Sequence, residues 1–195
     1  MNRRENITIA ALRLFWLRGY NYVSLIDVAR ELGMTKGGIY HYFSSKEALL
    51  REAVHYFLDR VEQKYGELFS SAVPLRETVR SMIADQELER YIQELLGIDP
   101  AMREGRHVHF ALEIMQHFPD IQARLEQSHA NCCRIVEERV AAAMEKGEIR
   151  RDLVGTAIGT ILFSVLSGQQ LLASRFDNPD KRQETADSLV RMIAS

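Results

Sequence analysis

Between residues 35 and 46 the chain gathers hydrogen-bond donors: Thr35, Lys36, Tyr40, His41, Tyr42 and Lys46. Hydroxyl, imidazole and ammonium groups all donate to phosphate oxygens and to base edges in a DNA groove. Two adjacent glycines, Gly37 and Gly38, lie among them, and each weakens a helix by about 1 kcal/mol relative to alanine. Packing alone would not require them. They make sense where something large, such as the edge of a DNA groove, must approach the backbone closely. Ile39 and Phe43, four residues apart, supply the inward face. The pattern is that of a recognition helix.

Other reactive residues form weaker sets. His107 and His109 are two apart, so on a helix they face away from each other. His129, Cys132 and Cys133 share a helical face and could hold a soft metal or respond to redox state, although a polar-tinged core helix is the simpler reading. Glu113 and His117, four apart, read more simply as a surface pair. No Ser-His-acid order, paired-carboxylate context, HExxH or GxxxxGK[ST] is visible. The chain is therefore read as a non-enzyme, with no cofactor and no metal expected.

The elements that must position the donor cluster are legible nearby. Ser24 is a good N-cap, and Asp27 adds negative charge in the first turn that follows. Leu25, Val28, Ala29 and Leu32 then recur at helical spacing, and Gly33 supplies a residue without a Cβ for a left-handed C′ position. Thr35 caps a second helix, predicted over 36–42, and Ser44-Ser45-Lys46-Glu47 reads as a capping box for a third. A cap, eight residues, a glycine and a new cap is helix-turn-helix spacing. Upstream, residues 3–18 form a helix with Ile7, Ala10, Ala11, Leu14, Phe15 and Leu17 apolar, ended by Gly19.

The run from Ser24 through Ala29 to Gly33-Met34-Thr35-Lys36-Gly37-Gly38-Ile39-Tyr40-His41-Tyr42-Phe43-Ser44-Ser45-Lys46-Glu47 resembles the DNA-binding signature of the TetR family of bacterial transcriptional regulators. Only about the first fifty residues match by motif; length and helical pattern fit the family throughout. The resemblance implies an all-α chain: a three-helix helix-turn-helix head over 1–46, then a helical effector-binding and dimerisation domain over 47–195. It implies contact with double-stranded DNA through Ser24, Thr35, Lys36, Gly37, Gly38, Tyr40, His41, Tyr42 and Lys46. The lysines and the tyrosine hydroxyls are expected on phosphates, and His41 on the backbone or a base edge. Many relatives carry a base-touching side chain where Gly38 stands, so specificity here is expected to rest partly on DNA shape.

The remaining elements read as helices. Leu49, Leu50, Ala53, Val54, Phe57, Leu58, Val61, Tyr65 and Leu68 mark a long one over 46–69, the expected mechanical link between head and body, whose N-terminus can also seat a phosphate. Others are predicted over 75–96, 101–117, 120–146, 152–175 and 179–194, and no segment alternates long enough to be a strand. Leu153 to Ser174 carries no charge and contains a Gly155/Gly159 pair, which raises the question of a membrane span. Thr156, Thr160, Ser164, Ser167, Gln169 and Gln170 dilute it too far. Small residues at every fourth position, Thr156, Thr160, Ser164 and Gly168, suit a helix buried in a subunit interface. The family resemblance implies a homodimer joined by the last two helices of each subunit, set on a palindromic operator.

The net charge of −2 is uninformative, but its distribution is not. Residues 1–51 hold eight cations and four anions, net +4, leaving −6 for the rest. A basic head on an acidic body suits phosphate binding. The N-terminus has no apolar signal segment and the two cysteines form no CxxC, so a cytoplasmic protein with reduced thiols is expected. A small-molecule effector is implied by the resemblance; Met82, Tyr91, Met102, Phe110, Met115, Phe118 and Phe163 are candidate pocket lining. The expected function is a ligand-responsive regulator, by family habit a repressor released from its operator by the effector. Two competing readings stand beside it. One is a helical interaction or storage protein whose head no longer binds DNA; the other is a metal or redox sensor built on the His129–Cys133 face.

Overall fold

The structure, a computed structural model, describes residues 2–70, 72–99, 106–171 and 178–194. Ten helices run through them: α1 (Arg3–Arg18), α2 (Leu25–Glu31), α3 (Lys36–Tyr40), α4 (Lys46–Leu68), α5 (Leu75–Ile83), α6 (Glu87–Leu96), α7 (Arg106–His117), α8 (Pro119–Glu145), α9 (Gly155–Leu171) and α10 (Pro179–Ile193). Among the described residues the only β feature is an isolated bridge between Ile149 and Ala194. The all-α expectation holds.

The chain forms two compact units. The first comprises Met1–Arg60 and Ile92–Glu126. Its core is built on the apolar stripe of α1, with Ile7, Ala11 and Phe15 fully enclosed, and on Val28, Ile39, Leu49 and Leu50 from α2, α3 and α4. Local chemistry sets the helix ends. Asn2 accepts the Glu5 N–H at the start of α1, and Ser24 and Asp27 form a reciprocal capping box at the start of α2. Gly33 takes a left-handed φ of 62° after α2, and the Met34 N–H closes back on the Ala29 carbonyl at 2.8 Å.

The second unit comprises Val61–Tyr91 and Gln127–Ser195. Here α5 packs on α10, tied by Arg80 to Asp187 at 2.9 Å. Helix α9 lies against α8 at its glycines: a Cβ on Gly159 would fall 2.9 Å from the Glu137 Cα, and one on Gly155 3.0 Å from the Met144 sulfur. The Gly155/Gly159 pair therefore serves packing within the chain. Among the described residues no helix is long and apolar enough to cross a membrane.

Several predicted boundaries shift. The helix predicted over 75–96 is two helices, because Gln86 adopts φ 52° between them. Neither glycine nor proline marks that break. The Arg182 Nε donates to the Ala84 carbonyl freed there, at 3.2 Å, a partner 98 residues away. Helix α3 ends at Tyr40 rather than 42, with His41 as its C-cap. The cap of α4 is Ser45, whose hydroxyl accepts the Ala48 N–H at 3.1 Å, one residue later than the predicted box. Residues 101–105 and 172–175 of two predicted helices lie outside the described residues.

Candidate nucleic-acid interface

Helix α3 is only five residues long, too short to persist alone. Tertiary packing holds it: Ile39 and Phe43 are buried to 0% and 2% exposure, and the Thr35 hydroxyl accepts the Gly38 N–H at 3.1 Å. With that face sealed inward, Lys36, Gly37, Tyr40 and His41 are exposed together, Tyr40 to 47%. Lys36 leans its ammonium over the Tyr40 ring at 5.6 Å, and His41 stands edge-on to Tyr42 at 5.1 Å. The surroundings of the two glycines differ. A Cβ on Gly37 would meet nothing within 4 Å, whereas one on Gly38 would press on the Met34 Cε at 3.3 Å. The exposed face at Gly37 is thus open to an approaching surface.

Tyr42 is half-buried, and its carbonyl accepts from the Arg4 Nη1 at 3.1 Å. Arg4 also pairs with Glu52 and lies 4.6 Å above the Phe43 ring, so one guanidinium fastens the segment that follows α3 to α1 and α4. The Ser24 hydroxyl is committed to Asp27, both accepting its N–H and donating to its carboxylate. These bonds hold the Asp27 carboxyl below its usual pKa. The Lys46 ammonium rests 4.0 Å above the ring of Tyr20. Burial there pushes its pKa down, partly offset by Glu47, Glu113 and Asp27. The Tyr20 hydroxyl donates to Glu47 at 3.3 Å; burial first, and then the negative charge of Glu47, pushes its pKa up to about 12.

Ion pairing changes the charge reading of the head. Arg4 is held by Glu52, Arg13 by Glu31 at 2.6 Å, Arg30 by Asp27 at 3.1 Å and Arg51 by Asp120 at 2.6 Å. Four of the eight cations are thereby matched. Among the described residues Arg3, Arg18, Lys36 and Lys46 pair with no carboxylate. Two of these, Arg3 and Arg18, enter the sequence reading only through the charge count of residues 1–51 and not as expected DNA contacts, since pairing across 18 to 69 positions leaves no local trace.

The first unit also contains a group that motif spacing could not find. The Glu113 carboxylate accepts the N–H of Tyr20 at 2.8 Å and of Asn21 at 3.0 Å, in the loop that leads into α2. Glu113 therefore does not pair with His117, whose Nδ1 lies 2.7 Å from the Glu113 carbonyl instead.

The proposed pocket residues fall into separate groups. Phe110 stacks on Phe15 at 6.3 Å and Phe118 stands edge-on to Tyr20 at 5.3 Å, so both belong to the packing of the first unit, which also holds Met115. Met82, Tyr91 and Phe163 belong to the second unit, where Phe163 meets Tyr65 at 6.1 Å and His129 at 6.4 Å. Met102 and the side chain of His107 lie outside the described residues. His129, Cys132 and Cys133 have different surroundings: His129 faces Phe163, Cys132 is buried, and Cys133 lies 3.6 Å from Glu137. Burial, then the Glu137 charge, pushes the Cys133 thiol up. No group of three metal-ligating side chains occurs among the described residues. On α9, Thr156, Thr160 and Ser164 are exposed and Gly168 is half-buried. Close in sequence, Val154 and Ile161 are exposed to 68% and 51%, and Met192 on α10 to 68%.

Comparison with known proteins agrees with this geometry. Residues 7–53 match the model of the bacterial regulatory proteins, tetR family. The chain is 26% identical over 156 residues to the HTH-type transcriptional repressor KstR2 of Mycolicibacterium smegmatis, covering 78% of this chain and 72% of that one. The reduced form of Escherichia coli NemR superposes with a TM-score of 0.77 at 17% identity, over 100% of this chain and 98% of its own. A Saccharomonospora viridis protein assigned as a transcriptional regulator, solved in complex with choline, gives 0.76 at 21% identity, over 98% and 97%. Residues 7–53 therefore resemble the DNA-binding part of the tetR family of bacterial regulatory proteins, and the chain shares its fold with the solved structures it superposes on.

Proposed function

We propose that this protein is a homodimeric repressor released from a palindromic operator by a small-molecule effector. The observation that carries the DNA reading is the exposed face of α3: Lys36, Gly37, Tyr40 and His41 together, on a helix fixed from behind by Ile39 and Phe43. Thr35 and Ser24 set the helix starts, while Lys46, Lys36 and the tyrosine hydroxyls meet phosphates. Few side chains reach base edges, so DNA shape contributes to specificity. The head of residues 1–46 reads DNA, and residues 47–195 supply the effector site and the dimer contact.

Dimerisation through α9 and α10 is supported by the exposed Thr156, Thr160 and Ser164 beside exposed Val154, Ile161 and Met192. Apolar side chains that bury on association supply the driving force, and small residues let two helices approach. Two-fold symmetry then sets two recognition helices at successive major grooves. Effector binding is supported by the choline complex of the same fold and by the aromatic group of Tyr65, Phe69, Phe163 and His129 in the second unit. An effector acts by preferring a state in which α4 has shifted and the heads no longer match the operator.

The test is a binding titration of the purified protein against the DNA upstream of its own gene and an unrelated duplex, each at two salt concentrations. Preference for the upstream fragment that survives higher salt is the expected result. Binding to neither duplex, in a protein shown to be folded, counts against the repressor.

A further inference from the structure

Glu113 is the one residue of α7 whose carboxylate accepts from the backbone ahead of α2, at 2.8 Å from the Tyr20 nitrogen and 3.0 Å from that of Asn21. These two N–H groups belong to the loop between α1 and α2, and among the described residues neither donates to a backbone carbonyl. The loop is shaped for the contact. Gly19 has φ 85°, and a Cβ there would lie 3.2 Å from the Glu113 Oε2, so a side chain at 19 would both strain the backbone and crowd the carboxylate. Around the same loop, Tyr20 is enclosed by Phe15 at 5.6 Å and Phe118 at 5.3 Å, with the Lys46 ammonium 4.0 Å above its ring and its hydroxyl on Glu47. Arg51 extends the connection, paired with Asp120 and lying 5.4 Å above the Phe118 ring. Helix α7 and the start of α8 fall within the same compact unit as α1, α2 and α3.

We infer that Glu113 is a positioning residue for DNA binding: it fixes the loop that enters α2 and the ring on which Lys46 rests, so that operator affinity depends on a residue that touches no DNA. The inference rests on the reading of the head as a DNA-binding module. It departs from a head of residues 1–46 alone, because the rigid reading body then includes α7. A carboxylate holding two N–H groups is a charge-assisted pair of bonds, and losing it frees the loop without removing any cation from the DNA-facing side.

The test uses the full-length protein with Glu113→Ala and Glu113→Gln, the second keeping one acceptor oxygen in place. Amide hydrogen exchange at Tyr20 and Asn21, operator affinity and the salt dependence of that affinity are measured together, with thermal unfolding as a check on global stability. Exchange at those two amides is expected to rise about tenfold or more in Glu113→Ala. Operator affinity is expected to fall in step while the salt slope stays at the wild-type value; Glu113→Gln falls between, and carries the test alone if the alanine variant does not fold. Two results overturn the inference: unchanged protection at Tyr20 and Asn21, or lost protection with undiminished affinity. A wild-type protein that binds no operator overturns the DNA reading itself, whatever the exchange at the two amides.

Discussion

Replacing Lys46 by alanine removes an ammonium held 4.0 Å above the Tyr20 ring at the N-terminus of α4. The fixed position matters, because a cation already ordered loses little freedom when a phosphate arrives. Each phosphate neutralised on B-DNA contributes about 0.9 to the magnitude of the slope of log K against log salt. A dimer presents the residue twice, so Lys46→Ala should flatten the slope by about 1.8 units. With Arg3, Arg18, Lys36 and Lys46 as the cations of residues 1–51 that pair with no carboxylate among the described residues, eight contacts in a dimer set an upper bound near 7 for the wild-type slope. The control is Arg51→Ala, which removes a cation already matched by Asp120 at 2.6 Å. It should leave the slope within about half a unit of wild type. Fluorescence anisotropy on one labelled operator, titrated at four or five salt concentrations, measures all three proteins. Equal flattening by Arg51→Ala and Lys46→Ala would refute the ion-pair accounting, and no change in Lys46→Ala would refute the phosphate contact.

Three further outcomes follow from the second unit. Gly159→Leu drives a side chain into the α8 backbone at Glu137, where even a Cβ would lie 2.9 Å from the Cα, and should cost about 1–3 kcal/mol or more in urea unfolding. Ile161→Glu places a charge on an exposed apolar residue of α9; the monomer should fold normally, while sedimentation shows loss of the dimer and operator binding weakens with it. Arg139, with a side chain only 2% exposed, donates to Glu148 at 2.9 Å and to the Val73 carbonyl at 2.7 Å. Burial alone would raise the Glu148 pKa, but the Leu75 N–H and Arg139 outweigh it and the net shift is downward. A depressed carboxylate stabilises the fold fully above its unfolded pKa of about 4.3 and loses that contribution as pH falls through the folded value. Glu148→Gln should therefore unfold more easily at neutral pH and lose less further stability below about pH 4.3 than wild type. Parallel acid profiles for the two proteins would show that Glu148 is not the group responsible.

The legible part of this protein is the part made by near neighbours in the chain. The Ser24–Asp27 box, the Gly33 turn and the Thr35 cap each join residues within about four positions, so their bonds follow from residue type and spacing. The same locality exposed the donors of α3 and the apolar stripe of α4. The break at Gln86 was not legible, because a Gln at φ 52° has no intrinsic preference to announce it. Nor were the matched arginines. A count of charge in residues 1–51 treats Arg13 and Lys46 alike, yet one is bound to Glu31 and the other rests on an aromatic ring. Glu113 makes the point most sharply: as a helical neighbour of His117 it reads as a surface pair, and the fold instead turns it to N–H groups 92 and 93 positions away. Sequence by itself determined the short-range caps, the helical faces and the cluster of donors on α3. Only the tertiary structure decided which cations of residues 1–51 are matched by carboxylates and which distant carboxylate binds the loop before α2, because those bonds depend on how far-separated helices come together.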